Sequence, residues 1–132
     1  MEWRNLGRLR LDPNGSLLFP GGVRAPGLYR FRLTGRGVEQ RYIGETVDLQ
    51  SRFQHYRTPG PSQMTNIRIK KLFLDHLNGG GRVEIDIVVD DVEIVVGGES
   101  RAADLSDKAT RRLLENAAIV VEGAHEVGSL NR

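Results

Sequence analysis

The opening residues alternate between apolar and polar positions, which is the pattern of a β-hairpin with one buried face. Residues 6–11 read Leu-Gly-Arg-Leu-Arg-Leu, and the Asp-Pro-Asn-Gly sequence at 12–15 has strong turn chemistry. We therefore expect residues 16–19 to form the return strand. The connector at 20–27 is rich in proline and glycine and ends this first unit.

A second alternation predicts a central hairpin. Residues 28–33 place Tyr29 on one face of a strand and Arg30 on the other. The Thr-Gly-Arg-Gly sequence at 34–37 is typical of a tight turn, and residues 38–44 then form the partner strand. Arginines on the face opposite Tyr29 are not expected to take part directly in any chemistry at that tyrosine.

Helical spacing takes over after the hairpin. Thr46 is a good candidate for the N-cap of a helix over residues 47–56. Two prolines in residues 57–63 require a loop, and apolar residues at helical intervals predict a second helix over residues 64–77. A run of three glycines at 79–81 ends that helix.

The C-terminal part of the chain returns to strands and then to a last helix. Residues 82–89 alternate cleanly, and residues 92–96 either continue that strand or form a separate short one. Residues 97–107 are expected to be a loop. The last helix, over residues 106–123, is capped by Ser106 or by the aspartate after it and ends at a glycine. The remaining residues have no clear periodicity.

These elements predict an α/β fold of the α+β kind, in which helices flank a small central antiparallel sheet. The length of 132 residues is typical of one domain. We assign residues 1–25 to an N-terminal hairpin extension and residues 26–132 to the core. The absence of cysteine excludes disulfides and thiolate metal sites, and three histidines give little support to a zinc site. No long apolar run or secretory signal is present, so we expect a cytoplasmic protein without membrane contact.

Charge is distributed unevenly along the chain although the net charge is only +2. Residues 1–72 carry 13 Lys and Arg against 5 Asp and Glu, whereas residues 73–132 carry 6 against 12. Sixteen of the 19 basic residues are arginine, whose planar guanidinium binds phosphate oxygens in pairs. This distribution suits either a solvated basic surface or a surface that binds a polyanion, and composition does not choose between them.

Tyrosine and arginine side chains provide the candidate chemistry. Tyr29 and Tyr42 lie on the two strands of the central hairpin, and we expect them to be close enough to share a hydrogen bond. A pair of core tyrosines is the alternative. Arg52 and Tyr56 are four residues apart and are therefore neighbours on one face of the first helix. We expect Gly44 to let the chain turn sharply from the strand into that helix.

The ordered sequences Gly-Leu-Tyr, Tyr-Ile-Gly and Arg-Phe-Gln-His-Tyr resemble the GIY-YIG nuclease superfamily over residues 26–132. That superfamily includes homing endonucleases, an excision-repair incision domain and restriction enzymes. The catalytic side chains that the resemblance implies are Tyr29, Tyr42, Arg52, Tyr56, Glu115 and Asn131. It implies a metal-dependent endonuclease that cuts DNA, with Tyr29 as the base and Tyr42 as its hydrogen-bonding partner. One departure is Glu45, at a position where some relatives have a lysine.

The resemblance also implies one Mg²⁺ or Mn²⁺ ion, held by Glu115, water and the substrate phosphate. Arg52 would stabilise the pentavalent phosphate, and Tyr56 would position a phosphate oxygen. Arg52 and the metal would lower the pKa of Tyr29. Backbone phosphates could be bound by polar and basic residues around the second helix, and these are Thr65, Asn66, Arg68, Lys70 and Lys71. The alternative for the two lysines is a solvated helix surface.

Three questions stay open at the level of sequence. The first is whether the substrate is DNA or RNA, and the second is whether the protein is an enzyme or a nucleic-acid-binding module of the same fold without turnover. The third is the source of sequence specificity, which would come from short elements of the chain, from a homodimer or from a separate specificity protein. For an enzyme, restriction, defence against foreign DNA and repair are the candidate roles.

Overall fold

The computed structural model describes residues 1–128, and its centre is the predicted hairpin. Strand β4 (Gly27–Gly35) pairs antiparallel with strand β5 (Val38–Thr46) over nine residues each. The register places Tyr29 opposite Gly44 and Phe31 opposite Tyr42. Alternation along β4 therefore predicted the correct faces, because successive side chains of a strand point to opposite sides.

Three more strands complete a five-stranded sheet. Strand β6 (Arg82–Val88) pairs antiparallel with the other edge of β4, and strand β1 (Arg4–Arg8) pairs antiparallel with β6. Strand β9 (His125–Glu126) lies parallel to β5, which gives the spatial order β1-β6-β4-β5-β9. Sequence periodicity missed β9, because two residues are too few to show any pattern.

The N-terminal extension differs from the single predicted hairpin. The expected strand over residues 6–11 is divided between β1, which joins the central sheet, and β2 (Arg10–Leu11). Strand β2 pairs with β3 (Leu17–Leu18) in a small separate sheet. Gly7, with a φ of 141°, follows a register shift in β1, and the pairing with β6 continues beyond it, displaced by one residue.

Three helices cover the sheet, and their bounds are Leu49–Arg57 for α1, Met64–Asn78 for α2 and Lys108–Glu122 for α3. The N-cap of α1 is Asp48, not Thr46 as predicted. The Asp48 carboxylate accepts a hydrogen bond from the backbone N–H of Gln50, whereas the Thr46 hydroxyl accepts one from the Asp48 N–H. Asp107 caps α3, as one of the two predicted candidates, and Gly123 ends it in a left-handed conformation.

The predicted loop after residue 96 contains a strand instead. Strand β7 (Glu93–Val96) is separate from β6, and it forms a hairpin with β8 (Glu99–Ala102) through Gly97 and Gly98. Both glycines have positive φ, which suits a two-residue hairpin turn. The glycine pair indicates a turn, but the polar sequence of β8 has no apolar alternation and so did not predict a strand.

The two faces of the central sheet are covered by different helices. Tyr29, Phe31 and Leu33 of β4 are buried with side chains of α1 and α2 in the main core. On the opposite face, Leu28 packs with Leu114 of α3 in a second, smaller cluster. The fold is therefore a mixed α+β arrangement with helices on both sides of an antiparallel sheet, as predicted. No helix within residues 1–128 is long and apolar enough to cross a membrane.

The segment that leads from the extension into β4 runs over the start of α1. The backbone carbonyl of Ala25 accepts a hydrogen bond from the Leu49 N–H, and the carbonyl of Val23 accepts one from the Gln50 N–H. Both amides belong to the first turn of α1, which has no partners for them inside the helix. Residues 23–25 therefore join the N-terminal extension to the helix that carries Arg52.

Candidate active site

Tyr29, Arg52 and Tyr56 meet in one hydrogen-bonded cluster between β4 and α1. The hydroxyl oxygens of Tyr29 and Tyr56 are 2.5 Å apart. Arg52 donates from Nε to the Tyr29 hydroxyl at 3.2 Å and to the Tyr56 hydroxyl at 3.1 Å. The Arg52 guanidinium also lies over the Tyr56 ring, 4.7 Å from its centroid. The spacing of four residues on α1 thus correctly predicted that Arg52 and Tyr56 share a face.

The sequence predicts Tyr42 as the hydrogen-bonding partner of Tyr29, and this prediction is wrong. It lies on the same face of the sheet but opposite Phe31, and its hydroxyl donates to the Gln40 side-chain oxygen at 3.3 Å. Its ring packs against His125 of β9 with centroids 5.3 Å apart. The phenol of Tyr56 takes the place that we had assigned to Tyr42.

Gly44 has a different purpose from the chain reversal that we had expected. It lies inside β5, and the Tyr29 phenol crosses directly above it. A β-carbon at position 44 would overlap the Tyr29 hydroxyl and ring. A glycine is therefore required here to admit the tyrosine, while the chain reversal falls between residues 46 and 49.

The two phenols of the cluster are neutral at physiological pH. Burial raises the pKa of Tyr29, although Arg52 opposes this change. Burial and the neighbouring Tyr29 raise the pKa of Tyr56 well above its ordinary value. Arg52 therefore lowers the pKa of Tyr29 as expected, but burial outweighs it, and the net shift in the free protein is upward. Burial lowers the pKa of the Arg52 guanidinium, but the two phenols outweigh this effect, and the net pKa is raised. Arg52 therefore stays cationic.

Arg52 is the member of the cluster that reaches the surface. Tyr29 and Tyr56 are 1% and 0% exposed, whereas Arg52 is half-buried. It lines an open cleft of about 400 Å³ with the first residues of α2, including Thr65 and Asn66. The start of α2 has Gln63 as its N-cap without a side-chain hydrogen bond to the helix amides. A guanidinium and a helix N-terminus therefore face the same cleft, and both favour anions.

The five predicted phosphate-binding residues separate into two groups. Thr65 and Asn66 line the cleft beside Arg52, with the buried Asn66 amide donating to the Gln63 side chain at 3.1 Å. Arg68, Lys70 and Lys71 lie further along α2 and outside the cleft lining. Arg68 and Lys71 are exposed, and Lys70 is half-buried.

Glu115 is a buried carboxylate on α3, at the β5 edge of the sheet. It is 9% exposed, and the backbone N–H of Glu45 donates a hydrogen bond to it. Burial, together with the nearby carboxylates of Glu126 and Glu45, raises the pKa of Glu115 to about 7. Tyr29 is close enough to be affected by its charge. Glu115 lies near enough to Tyr29 for an electrostatic effect, and its assignment to the site stays a prediction.

Sequence reasoning missed the ion pair that fixes this corner. Arg111 is buried, and its Nε donates to the Glu45 carboxylate at 2.7 Å. Its Nη1 donates to the backbone carbonyls of Leu105 and Ser106 at 3.0 and 3.1 Å. Arg111 lies one turn before Glu115, so it holds the start of α3 against β5. The only sequence signal was the pair of arginines ahead of Glu115, and their partner is 66 positions away.

Glu115 fits a hard divalent cation that keeps most of its water. Within residues 1–128 no three His, Asp or Glu side chains are gathered closely enough to form a complete protein cage. The donor is nevertheless a carboxylate oxygen, the ligand that Mg²⁺ and Mn²⁺ prefer. Burial and then the neighbouring carboxylates of Glu126 and Glu45 raise its pKa, and a cation would favour the ionised form. Asn131, also assigned to the site, lies outside the described residues.

Comparison with known proteins gives a match of structure but none of sequence. No protein-family model and no curated protein matches the chain. A solved structure of a mutant of bacteriophage T4 EndoII, a GIY-YIG-family endonuclease, has the same fold with a TM-score of 0.64. It is 20% identical, and the alignment covers 92% of this chain and 89% of EndoII.

Proposed function

We propose that this protein is a GIY-YIG-type endonuclease that hydrolyses phosphodiester bonds in DNA with the help of Mg²⁺ or Mn²⁺. The single observation that carries the proposal is the Tyr29–Arg52–Tyr56 cluster, in which a cation at the surface has two neutral phenols as partners. The fold shared with EndoII supports the same activity. Restriction, defence against foreign DNA and repair are the cellular roles that such an activity suits.

Arg52 binds the scissile phosphate in this proposal. Its guanidinium has no carboxylate partner among the ion pairs of residues 1–128, so its charge is available for an anion. The open start of α2, with Thr65 and Asn66, supports a neighbouring phosphate. As water attacks phosphorus, negative charge grows on the phosphoryl oxygens, and a fixed guanidinium stabilises that charge.

Tyr29 orients the attacking water. Its neutral phenol is a poor base at physiological pH, so we assign it hydrogen bonding to the water rather than full proton removal in the free protein. Tyr56 is buried and holds both Tyr29 and Arg52 in place. It therefore acts through these two residues rather than on a phosphate oxygen.

Glu115 would hold the divalent ion, with water and the substrate phosphate as its other ligands. When bound there, the ion would supply positive charge to the phosphate and to the leaving oxygen. Glu45 and Arg111 keep the Glu115 carboxylate at the edge of β5. No second carboxylate is assigned as a ligand.

One observation favours a second candidate, a nucleic-acid-binding module without turnover. Both phenols of the cluster are almost completely buried, which is also what a purely structural polar cluster would show. In that case Arg52 and the start of α2 would bind phosphates while Tyr29 never met a substrate. RNA would serve as well as DNA, because phosphate contacts carry no base information.

Cleavage of supercoiled plasmid in Mg²⁺ or Mn²⁺ tests the proposal, with Tyr29→Phe and Glu115→Gln as variants. Parallel reactions use a DNA flap, modified phage DNA and a structured RNA. Metal-dependent cutting that Tyr29→Phe slows by at least ~10-fold and Glu115→Gln abolishes supports the nuclease. Salt-sensitive binding to DNA without cutting of any substrate contradicts it and favours the binding module.

A further inference from the structure

Helix α1 lies between two open clefts of the protein surface. On one side, Arg52 lines the cleft of about 400 Å³ that the start of α2 completes. On the other side, Gln50, Gln54 and Arg57 line a cleft of about 150 Å³, and residues 18–22 of the N-terminal extension form its opposite wall. The outward face of α1 therefore separates two hollows that could each hold an extended ligand.

Two arginines mark the edges of this outward face. At about 3.6 residues per turn, Arg52 and Arg57 point about 140° apart, and the buried residues of α1 fall within that arc. The remaining arc of about 220° faces outward. Its side chains are all exposed, and they are Gln50, Ser51, Gln54 and His55. Arg57 pairs with Asp12 at 3.4 Å, and its side chain is still 40% exposed. Each cleft thus has a guanidinium on its α1 side.

The centre of the outward face is polar and has no acidic side chain. Helix α1 contains no Asp or Glu. Within residues 1–128, the side chains of Ser51, Gln54 and His55 make no hydrogen bond, so their donors and acceptors are free for a ligand. A helix that only faces water usually carries charges of both signs. Here cations lie at the edges, and groups that can both donate and accept hydrogen bonds lie between them.

This pattern is complementary to the major groove of B-form DNA. That groove is about 12 Å wide and admits one α-helix, whose diameter with side chains is about 10–12 Å. A helix in the groove has a phosphate backbone on each side, which is where α1 has its arginines and clefts. Base edges lie in the middle, opposite the polar side chains. Duplex RNA does not offer this fit, because its major groove is too narrow for side chains to read.

We propose that α1 enters the major groove of duplex DNA and that Gln54 and His55 read base edges there. The inference deepens the proposed function and rests on it, because the strand in the cleft beside Arg52 is the strand that is cut. Gln54 suits adenine, since a glutamine amide can donate to N7 of the base and accept from its N6 amino group. The same helix thus binds the scissile phosphate and selects the sequence beside it.

Selection from a pool of randomised DNA duplexes, with the full chain in chelator so that no strand is cut, tests the inference. We expect the wild-type protein to enrich a motif that contains adenine, and to bind it at least ~10-fold more tightly than an RNA duplex of the same sequence. Gln54→Ala should weaken binding to that motif ~10-fold to 100-fold and remove the preference at one base pair, because two hydrogen bonds to one base are lost. Thermal unfolding checks that the variant is folded.

Asn116→Ala is the matched control, because it removes an exposed amide from α3, on the opposite side of the sheet. It should leave the motif and the affinity unchanged. A motif that survives both Gln54→Ala and His55→Ala overturns the inference, as does DNA binding without a motif or equal binding of the RNA duplex.

The same experiment separates this inference from the proposed nuclease. A motif that depends on Gln54, in a duplex that stays uncut when Mg²⁺ or Mn²⁺ is restored, supports the reading helix and contradicts only the nuclease. Cutting whose sequence preference Gln54→Ala leaves unchanged contradicts only the reading helix. A chain that neither binds nor cuts DNA overturns both.

Discussion

Arginines lie on both sides of the central sheet. Carboxylates neutralise those on one side, whereas the arginine on the other side has phenols as its partners. On the α3 side, Arg30 and Arg32 bind the buried carboxylate of Asp86, and Arg30 also binds Glu122. On the α1 side, Arg52 has the phenols of Tyr29 and Tyr56 as its partners. Carboxylates neutralise the charge of a guanidinium, whereas neutral phenols fix its position and do not neutralise it. The arginines of one face are thus neutralised, and the arginine of the other has only neutral phenols as its described partners.

Replacement of Arg52 gives the largest expected effect. Arg52→Ala should lower the rate of DNA cleavage by at least ~100-fold, because a preorganised charge at the phosphate is lost. Arg52→Lys should recover little, since an ammonium group cannot bind both phenols and a phosphate in the geometry of a guanidinium. Single-turnover cleavage measures the rate. Arg32→Lys on the opposite face is the control, and an equal loss there would remove the distinction between the faces.

The two tyrosines should differ in importance for catalysis. Tyr29→Phe removes a hydroxyl that bonds both Arg52 and Tyr56, and we expect a loss of ~10-fold to 100-fold in the cleavage rate. Tyr42→Phe removes a hydroxyl that donates to Gln40 alone and should cost much less. Rates under identical conditions, with thermal unfolding as a check on folding, decide between them. A larger loss for Tyr42→Phe would restore the role first assigned to it.

Removal of the Asp86 charge should affect stability and spare catalysis. Burial opposes its ionisation, but hydrogen bonds from Arg32, Asn5 and Arg30 outweigh burial and lower its pKa. Asp86→Asn should reduce the free energy of unfolding by about 2–3 kcal/mol at neutral pH, because it leaves the half-buried Arg32 without an anion and Arg30 with Glu122 alone. Urea denaturation measures this difference, while activity per folded molecule should be unchanged.

The pH dependence of the free energy of unfolding shows whether the ionised Asp86 carboxylate stabilises the fold. A carboxyl with a lowered pKa in the fold stabilises the protein above its unfolded pKa of ~3.9. That contribution is lost as the pH falls from this value through the lower folded pKa. The gap between wild type and Asp86→Asn should therefore close in acid. A gap that stayed constant as the pH fell from ~3.9 through the folded pKa would show that the substitution acts through packing instead.

Glu115→Gln should have the smallest effect on stability. Unlike Asp86→Asn, it should raise the free energy of unfolding. A carboxyl whose pKa is raised to about 7 costs stability at higher pH, and the cost fades as the pH falls towards the unfolded value of ~4.3. Without divalent cations at pH 8, the variant should be more stable by about 1 kcal/mol, after allowance for partial solvent access. Thermal unfolding in chelator measures it. A less stable variant would mean that Glu115 is structural.

Sequence predicted the parts of this molecule that depend on local order. Strict alternation fixed the faces of β4 and β5, and the four-residue interval on α1 brought Arg52 to Tyr56. The hydrogen bonds of the candidate site depend instead on the direction that each side chain takes across the sheet. Tyr29 can reach Tyr56 because Gly44 leaves room beneath its ring, and alternation does not contain that information. The same limit hid the partner of Tyr42.

Other misses arose from distance along the chain or from brevity. The ion pair between Glu45 and Arg111 joins residues 66 positions apart, and no periodicity links them. Strand β9 has only two residues, and the backbone of β5 defines it. Thr46 and Asp48 are both good N-caps, and only the backbone path between them showed which one caps α1.

The segment at residues 23–25 decides which helix end can attract an anion. Two helices begin near Arg52, and the start of any helix is a potential resting place for a phosphate. At α1 that place is already occupied, because Val23, Ala25 and the Asp48 side chain take up its first amides. At α2 the Met64 N–H donates to the Ser62 carbonyl, but the N-cap Gln63 makes no side-chain hydrogen bond to the helix amides. Of these two helix starts, the one beside Thr65 and Asn66 is therefore the less fully capped, and the proposed phosphate site uses it.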